Sequence, residues 1–177
     1  MSIDQLPVSF CGAPGAFSEE AARRYFGPTC ATLTAASLKG AFADVEEGRS
    51  RAAIVAVENS ITGCLHGFAD ALGDRNLEIA GEVVLGIRHC LMALPGTTIE
   101  QLREVQSHPQ ALRQCDAWLQ QHAWIRPVDA FDTAGSAEKV RMDGRHDLAA
   151  IASTAAAERF GLEILARVAR NAWRDGS

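Results

Sequence analysis

The stretch Val8-Ser-Phe-Cys-Gly-Ala-Pro-Gly-Ala-Phe-Ser-Glu-Glu20 decides the fold class. Val8–Cys11 is a short strand-forming run, and Gly12-Ala-Pro-Gly15 turns the chain. A helix follows that Ser18 can cap, with Glu19 and Glu20 in its first turn and Gly27 as its stop. A strand feeding directly into a helix is the unit from which α/β folds with mostly parallel strands are built. The same unit recurs down the chain. Ala31–Thr34 leads into a helix capped by Ser37, where Leu38, Ala41, Phe42 and Val45 recur at helical spacing until Gly48. Ala52–Val57 is the continuous apolar run expected of a strand covered on both faces. Leu77–Leu94, rich in Val, Leu and Ile and without helix stops, reads as one or two strands crossing to a second lobe. Beyond it, Val105-Gln106 leads to a helix with Pro109 near its start, and Ile125–Ala130 to one capped by Asp132. Leu148–Ile151 leads to a helix running from near Ser153 to Gly161, and Leu162–Ala166 is a last short strand.

The chain has 177 residues, 47% hydrophobic and 22% charged, the balance of a globular protein with a real core. A net charge of −5 with no Lys or Arg run makes nucleic acid an unexpected partner. A small anion is still within reach, because backbone dipoles hold anions on acidic surfaces. Cys11, Cys30, Cys64, Cys90 and Cys115 are odd in number and scattered, without a Cys-x-x-Cys pair. That favours reduced thiols of a cytoplasmic protein over a disulfide framework or a zinc site. The N-terminus carries no basic leader and no apolar stretch approaches membrane-spanning length, so no membrane association is expected.

Four strand-to-helix junctions place small or hydroxylated residues where a helix begins: Gly12–Ser18, Ser107–Gln110, Asp132–Ser136 and Ser153–Ala155. Free N–H groups at helix starts, along the edge where open α/β sheets bind ligands, suit a carboxylate or phosphate. The competing reading is that these residues are ordinary caps. Glu58-Asn59-Ser60-Ile-Thr-Gly63 follows the most apolar strand. Either its polar side chains face a cleft, or Asn59 takes a left-handed turn and Ser60 caps a helix. In Ser107-His-Pro-Gln-Ala-Leu-Arg-Gln-Cys115, one continuous helix would align Ala111, Leu112, Cys115, Trp118 and Leu119 as its apolar stripe, with Ser107 and Gln114 side by side at its margin. His108 is either an acid/base or a cap beside Pro109. His66, His89, His122 and His146 form no metal-ligand spacing, and no phosphate-loop or dinucleotide fingerprint occurs. Chemistry without a cofactor or metal is the expectation.

In order along the chain stand Gly12-Ala-Pro-Gly-Ala-Phe-Ser-Glu19, Val57-Glu-Asn-Ser-Ile-Thr-Gly63, Ser107-His-Pro-Gln-Ala-Leu-Arg-Gln-Cys115 and Asp132-Thr-Ala134. Ala149-Ala-Ile-Ala-Ser153 then runs on to Phe160-Gly-Leu162. Together these blocks resemble the dehydratase domain of the prephenate dehydratase family. The resemblance implies two interleaved α/β lobes with the topology of type 2 periplasmic binding proteins and an active-site cleft between them. The first lobe would cover residues 1–75 approximately, with C-terminal residues added, and the second 80–155 approximately. It implies conversion of prephenate to phenylpyruvate with loss of carbon dioxide and water, a step of phenylalanine biosynthesis. Carried over position by position, Glu58, Asn59, Ser107, Gln114 and Thr133 would be catalytic, and Ser18, Ser60, Gly63, His108 and Ala134 would bind substrate. A homo-oligomer is implied, with the apolar run Val83, Val84, Leu85 and Ile87 as surface that can be shared.

The family pattern continues with Asn-x-Thr-Arg-Phe beyond the Gly-Leu pair, where its threonine is essential. Here Ser177 falls at that place in one register and Trp173 in another, and Thr-Arg-Phe is absent, as is a following ACT regulatory domain. Ala56 replaces the proline that commonly precedes the Val-Glu-Asn-Ser block. The expectation is a catalytic domain that binds its substrate better than it turns it over. Arogenate dehydratase and a non-catalytic anion-binding module are the alternatives.

Overall fold

The computed structural model describes residues 5–59, 63–64, 67–73 and 75–170, the side chains of Asn59, Cys64, Ala169 and Arg170 excepted. Ser60, His66, Trp173 and Ser177 lie outside the described residues. The chain divides into two compact units, one taking the residues up to Gly12 and Phe17–Leu85, the other taking Ala13–Ala16 and the chain from Gly86 onward.

The first unit holds a three-stranded parallel sheet in the order β2-β1-β3, with β1 Val8–Cys11, β2 Thr32–Ala35 and β3 Ala52–Ile54. Helix α1, Phe17–Phe26, starts one residue before Ser18, which therefore sits inside the first turn instead of capping it. Helix α2, Leu38–Glu46, is capped as its sequence predicts, the Gly40 N–H donating to Ser37 Oγ at 3.1 Å. Ala41 and Phe42 are buried, and so is Asp44. That carboxylate accepts from Ser9 Oγ at 2.6 Å and from Arg49 Nε at 2.8 Å, so strand, helix and following loop share one buried anion. Strand β3 stops at Ile54 and stays half-buried, because it is an edge strand with β1 as its neighbour on one side. The expected run to Val57 is thus cut short, and Val57 is exposed. A two-stranded antiparallel pair follows, β4 Glu58–Asn59 with β5 Gly63–Cys64, and then α3, Phe68–Leu72.

The second unit is a five-stranded mixed sheet in the order β10-β6-β9-β7-β8. Its strands are β6 Arg88–Ala93, β7 Glu104–Ser107, β8 Arg126–Asp129, β9 Leu148–Ala152 and β10 Glu163–Arg170. β7 runs parallel to both β8 and β9, whereas β6 is antiparallel to β9 and to β10. The strand expected within 77–94 begins only at Arg88, and residues 77–87 pair with no strand. Residues 163–170 pair as β10 along β6 in the second unit, in a strand longer than Leu162–Ala166 suggests. Pairing along β6 covers that edge of the sheet, with irregularities between Ile164 and Ala166 and between Arg167 and Ala169.

Both faces of this sheet are buried, which explains the all-apolar Leu148-Ala-Ala-Ile-Ala152. On one face Cys90, Met92, Leu148, Ala150 and Ala152 pack against α6, Thr133–Asp143, and α7, Thr154–Phe160. On the other, Leu91, Ala93, Val105, Ala149 and Ile151 pack against α4, Pro109–Gln114, and α5, Asp116–Gln121. The expected single helix through Gln114 and Trp118 is therefore two. Cys115 sits at the break with φ −103° and ψ 7°, while Asp116 opens the first turn of α5.

Candidate active site

Strand β7 delivers Ser107 to the foot of α4, fully buried, with its Oγ donating to the Ile151 carbonyl at 2.6 Å. Ser107 is thus a strand residue, and the helical arithmetic that set it beside Gln114 does not apply. The hydroxyl is committed to a tie between β7 and β9, and it is the strand end that it fixes. His108 follows as the N-cap of α4, its Nδ1 accepting from the Gln110 N–H at 3.2 Å, with Pro109 pre-set for the first helical turn. The capping geometry read for His108 is present.

Gln114 ends α4 and is partly exposed. Its Oε1 lies 2.8 Å from Nε2 of His89, a residue only 4% exposed near the start of β6. Sequence reasoning passed over His89 because it fits no metal spacing. The signal that finds it is parity: His89 alternates with Leu91 and Ala93, whose side chains lie in the α4/α5 core, so it points the same way. A buried imidazole there needs a polar partner. Burial also holds its pKa below the usual histidine range, while the bond to Gln114 partly offsets this.

Asp132 caps α6, its Oδ1 accepting from the Gly135 N–H at 2.5 Å, and Ser136 Oγ donates to the Asp132 carbonyl at 2.8 Å. Thr133 is the first residue of α6 and is half-buried. Ala134 is fully buried in the α6/α7 core, so its methyl packs and only its backbone can meet a ligand. A pocket of about 240 Å³ opens beside this helix, lined by Gln106, Phe131, Asp132, Ser136 and Lys139 among others. Gln106 alternates with Val105, so the pocket lies on the opposite face of the sheet from Gln114.

In the first unit Glu58 is exposed on β4, with Glu58 opposite Cys64 and Asn59 opposite Gly63. Of the two readings of this block, the left-handed Asn59 turn does not form. Asn59 is in a strand, and Gly63 carries the positive φ of 73°. Ser18 is half-buried in the first turn of α1. Among the described residues, no group of three His, Cys, Asp or Glu is placed to hold a metal ion, and no helix is long and apolar enough to cross a membrane.

The sequence model of the prephenate dehydratase family matches residues 8–172. An arogenate dehydratase/prephenate dehydratase of Arabidopsis thaliana is 42% identical over 163 residues, which is 92% of this chain and 42% of that relative. This chain thus spans less than half the length of that relative. Among solved structures, one described as a novel type of quorum quenching acylase has a TM-score of 0.85 at 38% identity, covering 93% of this chain and 60% of the other. A prephenate dehydratase from Arthrobacter aurescens, solved in complex with L-Phe, has a TM-score of 0.84 at 27% identity, covering 93% and 56%. The alternation of strands and helices into two α/β units and the match along nearly the whole chain agree, and the chain belongs to the prephenate dehydratase family.

Proposed function

We propose that this protein catalyses the decarboxylating dehydration of a hydroxycyclohexadiene carboxylate, with arogenate as its better substrate and prephenate as its second. The observation that carries the reading is the family match over residues 8–172, joined to relatives whose names put arogenate first. The motifs alone point to prephenate; the relatives' names move the preference to the substrate that bears an amino-acid side chain in place of the α-keto acid.

The reaction asks little bond-making of the protein. As the ring carboxylate departs as carbon dioxide, its bonding pair enters the ring, and the hydroxyl leaves with one added proton as water. Aromatisation drives both losses. The protein must orient the ring and supply a hydrogen-bond donor or acid where the hydroxyl leaves. In this reading Gln114 offers an amide N–H to a substrate oxygen, and Thr133 and the start of α6 suit a carboxylate. For Glu58, Asn59 and Ser18, which belong to the first unit, the match to the family motif is the support for a substrate-facing role. Ser107 acts by fixing the strand end from which α4 starts. Hydrolysis of the kind named for the acylase structure has less support, because Ser107 and Ser153, both fully buried at strand ends, donate to backbone carbonyls and not to a base.

The test is turnover by the protein expressed at its full coding length, with phenylalanine quantified from arogenate and phenylpyruvate from prephenate. A higher kcat/KM for arogenate is expected. Turnover of prephenate alone overturns the substrate preference. Binding of either acid without turnover would favour the anion-binding module. Self-association to at least a dimer belongs to the same reading and is checked by sedimentation.

A further inference from the structure

We propose that His89 is the positioning residue for Gln114: its Nε2–H holds the carboxamide oxygen, so that the amide –NH2 of Gln114 faces outward as a fixed donor to a substrate oxygen. This rests on the dehydratase reading, in which Gln114 meets substrate.

A carboxamide has an acceptor end and a donor end of nearly equal shape, and a partly exposed one on a helix terminus turns over freely unless something holds it. Gln114 is the last residue of α4, next to the break at Cys115, where the helix itself offers little constraint. His89 does the opposite of turning. It sits on β6, which is hydrogen-bonded on both sides, by β9 and by β10. It is 4% exposed, and it shares its face of the strand with the packed Leu91 and Ala93. The 2.8 Å contact is to Oε1 of Gln114. An imidazole nitrogen facing a carbonyl oxygen has to carry a hydrogen, which sets the Nε2–H tautomer and leaves the –NH2 for other acceptors. The arrangement matches the way buried partners orient a polar group that touches a ligand. It also gives a role to a histidine that stands in β6 between Arg88 and the apolar run Cys-Leu-Met-Ala.

Two measurements test it. Long-range nitrogen–proton NMR of the unsubstituted protein reads the His89 tautomer directly and needs no turnover. Protonated Nε2 is expected; protonation at Nδ1 alone would turn the amide around and overturn the proposal. This arm stands even if the protein turns over neither acid, so failure of the activity and failure of the inference are separable. The second measurement is kinetic, with His89→Phe, which keeps a ring without the donor, and His89→Gln, whose terminal amide restores one. His89→Phe is expected to lower kcat/KM by roughly 10–100-fold, the effect of a misdirected donor to a charged oxygen, and His89→Gln to recover most of it. In a Gln114→Ala background, His89→Phe should add little, because the two act as a unit. Equal losses with and without Gln114 would assign His89 a purely structural role and reject positioning.

Discussion

Ser153 Oγ donates to the carbonyl oxygen of Gly15 at 2.6 Å, joining residues 138 positions apart. The same oxygen accepts from the Ala156 N–H at 3.0 Å, so one buried hydroxyl caps α7 and pins the turn before α1 to the second unit. This contact explains why Ala13–Ala16 belong with residues that follow Gly86. Ser153→Ala removes the cap of α7 and one hydrogen bond to the Gly15 carbonyl, at a combined cost of about 1–3 kcal/mol. A lower thermal midpoint is expected, with faster hydrogen exchange at the Ala156 amide. Unchanged exchange at Ala156 would show that another group caps the helix.

Gly15 answers this contact from the other side. Its φ is +90°, and a Cβ built there would lie 2.9 Å from the Ala156 backbone Cα. Both the conformation and the space exclude a side chain. Gly15→Ala should destabilise by about 1–3 kcal/mol through backbone strain, and denaturant unfolding followed at the second unit would register it. A neutral result would mean that the turn moves away from α7 without cost.

The first unit has a comparable buried tie in Asp44. Burial pushes its pKa up, but the Ser9 hydroxyl and Arg49 outweigh it and hold the carboxyl below its usual value. A carboxyl depressed in the folded state adds stability that is present above the unfolded value, about pH 4, and lost as pH falls through the native one. Asp44→Asn should therefore cost about 1–3 kcal/mol at neutral pH, and the gap from the parent should narrow in acid. Parallel pH–stability curves would show that Asp44 does not titrate with folding.

Much of the strand–helix alternation was legible because caps and stops act over a few residues. Ser37, Asp132 and Ser153 cap the helices they precede, and Gly161 ends its helix in left-handed conformation. What local signals could not reach were choices made by distant partners. Val55–Val57 is as apolar as Ala52–Ile54, yet β3 pairs with β1 only as far as Ile54. The destination of β10 depends on the open edge of β6, which leaves no mark within Leu162–Ala166. The site shows the same division. Thr133 and His108 were visible as residues at helix starts, whereas the helix end at Gln114 follows from the break at Cys115, and His89 becomes meaningful only when β6 is laid beneath α4.

Cysteine reactivity separates buried from accessible positions without any substitution. Burial pushes the Cys115 thiol pKa up to about 12, and Cys90 is buried with its Sγ 3.7 Å from Thr154 Oγ1. Thiolate is the reacting form, so both should resist alkylation in the native protein. Of these four described cysteines, Cys11 and Cys30, each partly exposed, should label first in a mass-spectrometric time course. Native labelling of Cys115 as fast as Cys30 would mean that the α4–α5 break opens readily.

His108 is the residue on which the structural and chemical readings of the site diverge most sharply in the laboratory. Its Nδ1 accepts from the Gln110 N–H, the work of an N-cap, and Pro109 follows at the first helical position. Asparagine performs that work at least as well, since its side-chain oxygen reaches the same N–H, whereas alanine cannot. His108→Asn should keep stability within about 0.5 kcal/mol of the parent, and His108→Ala should lose about 1 kcal/mol. A general acid or base would behave otherwise, because asparagine does not exchange a proton near neutral pH. Its loss would cost roughly 10²–10⁴-fold in kcat and remove one limb of the pH–rate profile. The expected outcome is that His108→Asn retains both kcat and the limb. If it folds normally, binds substrate normally and still loses turnover, His108 is an acid/base and its capping bond is the resting state of a catalyst.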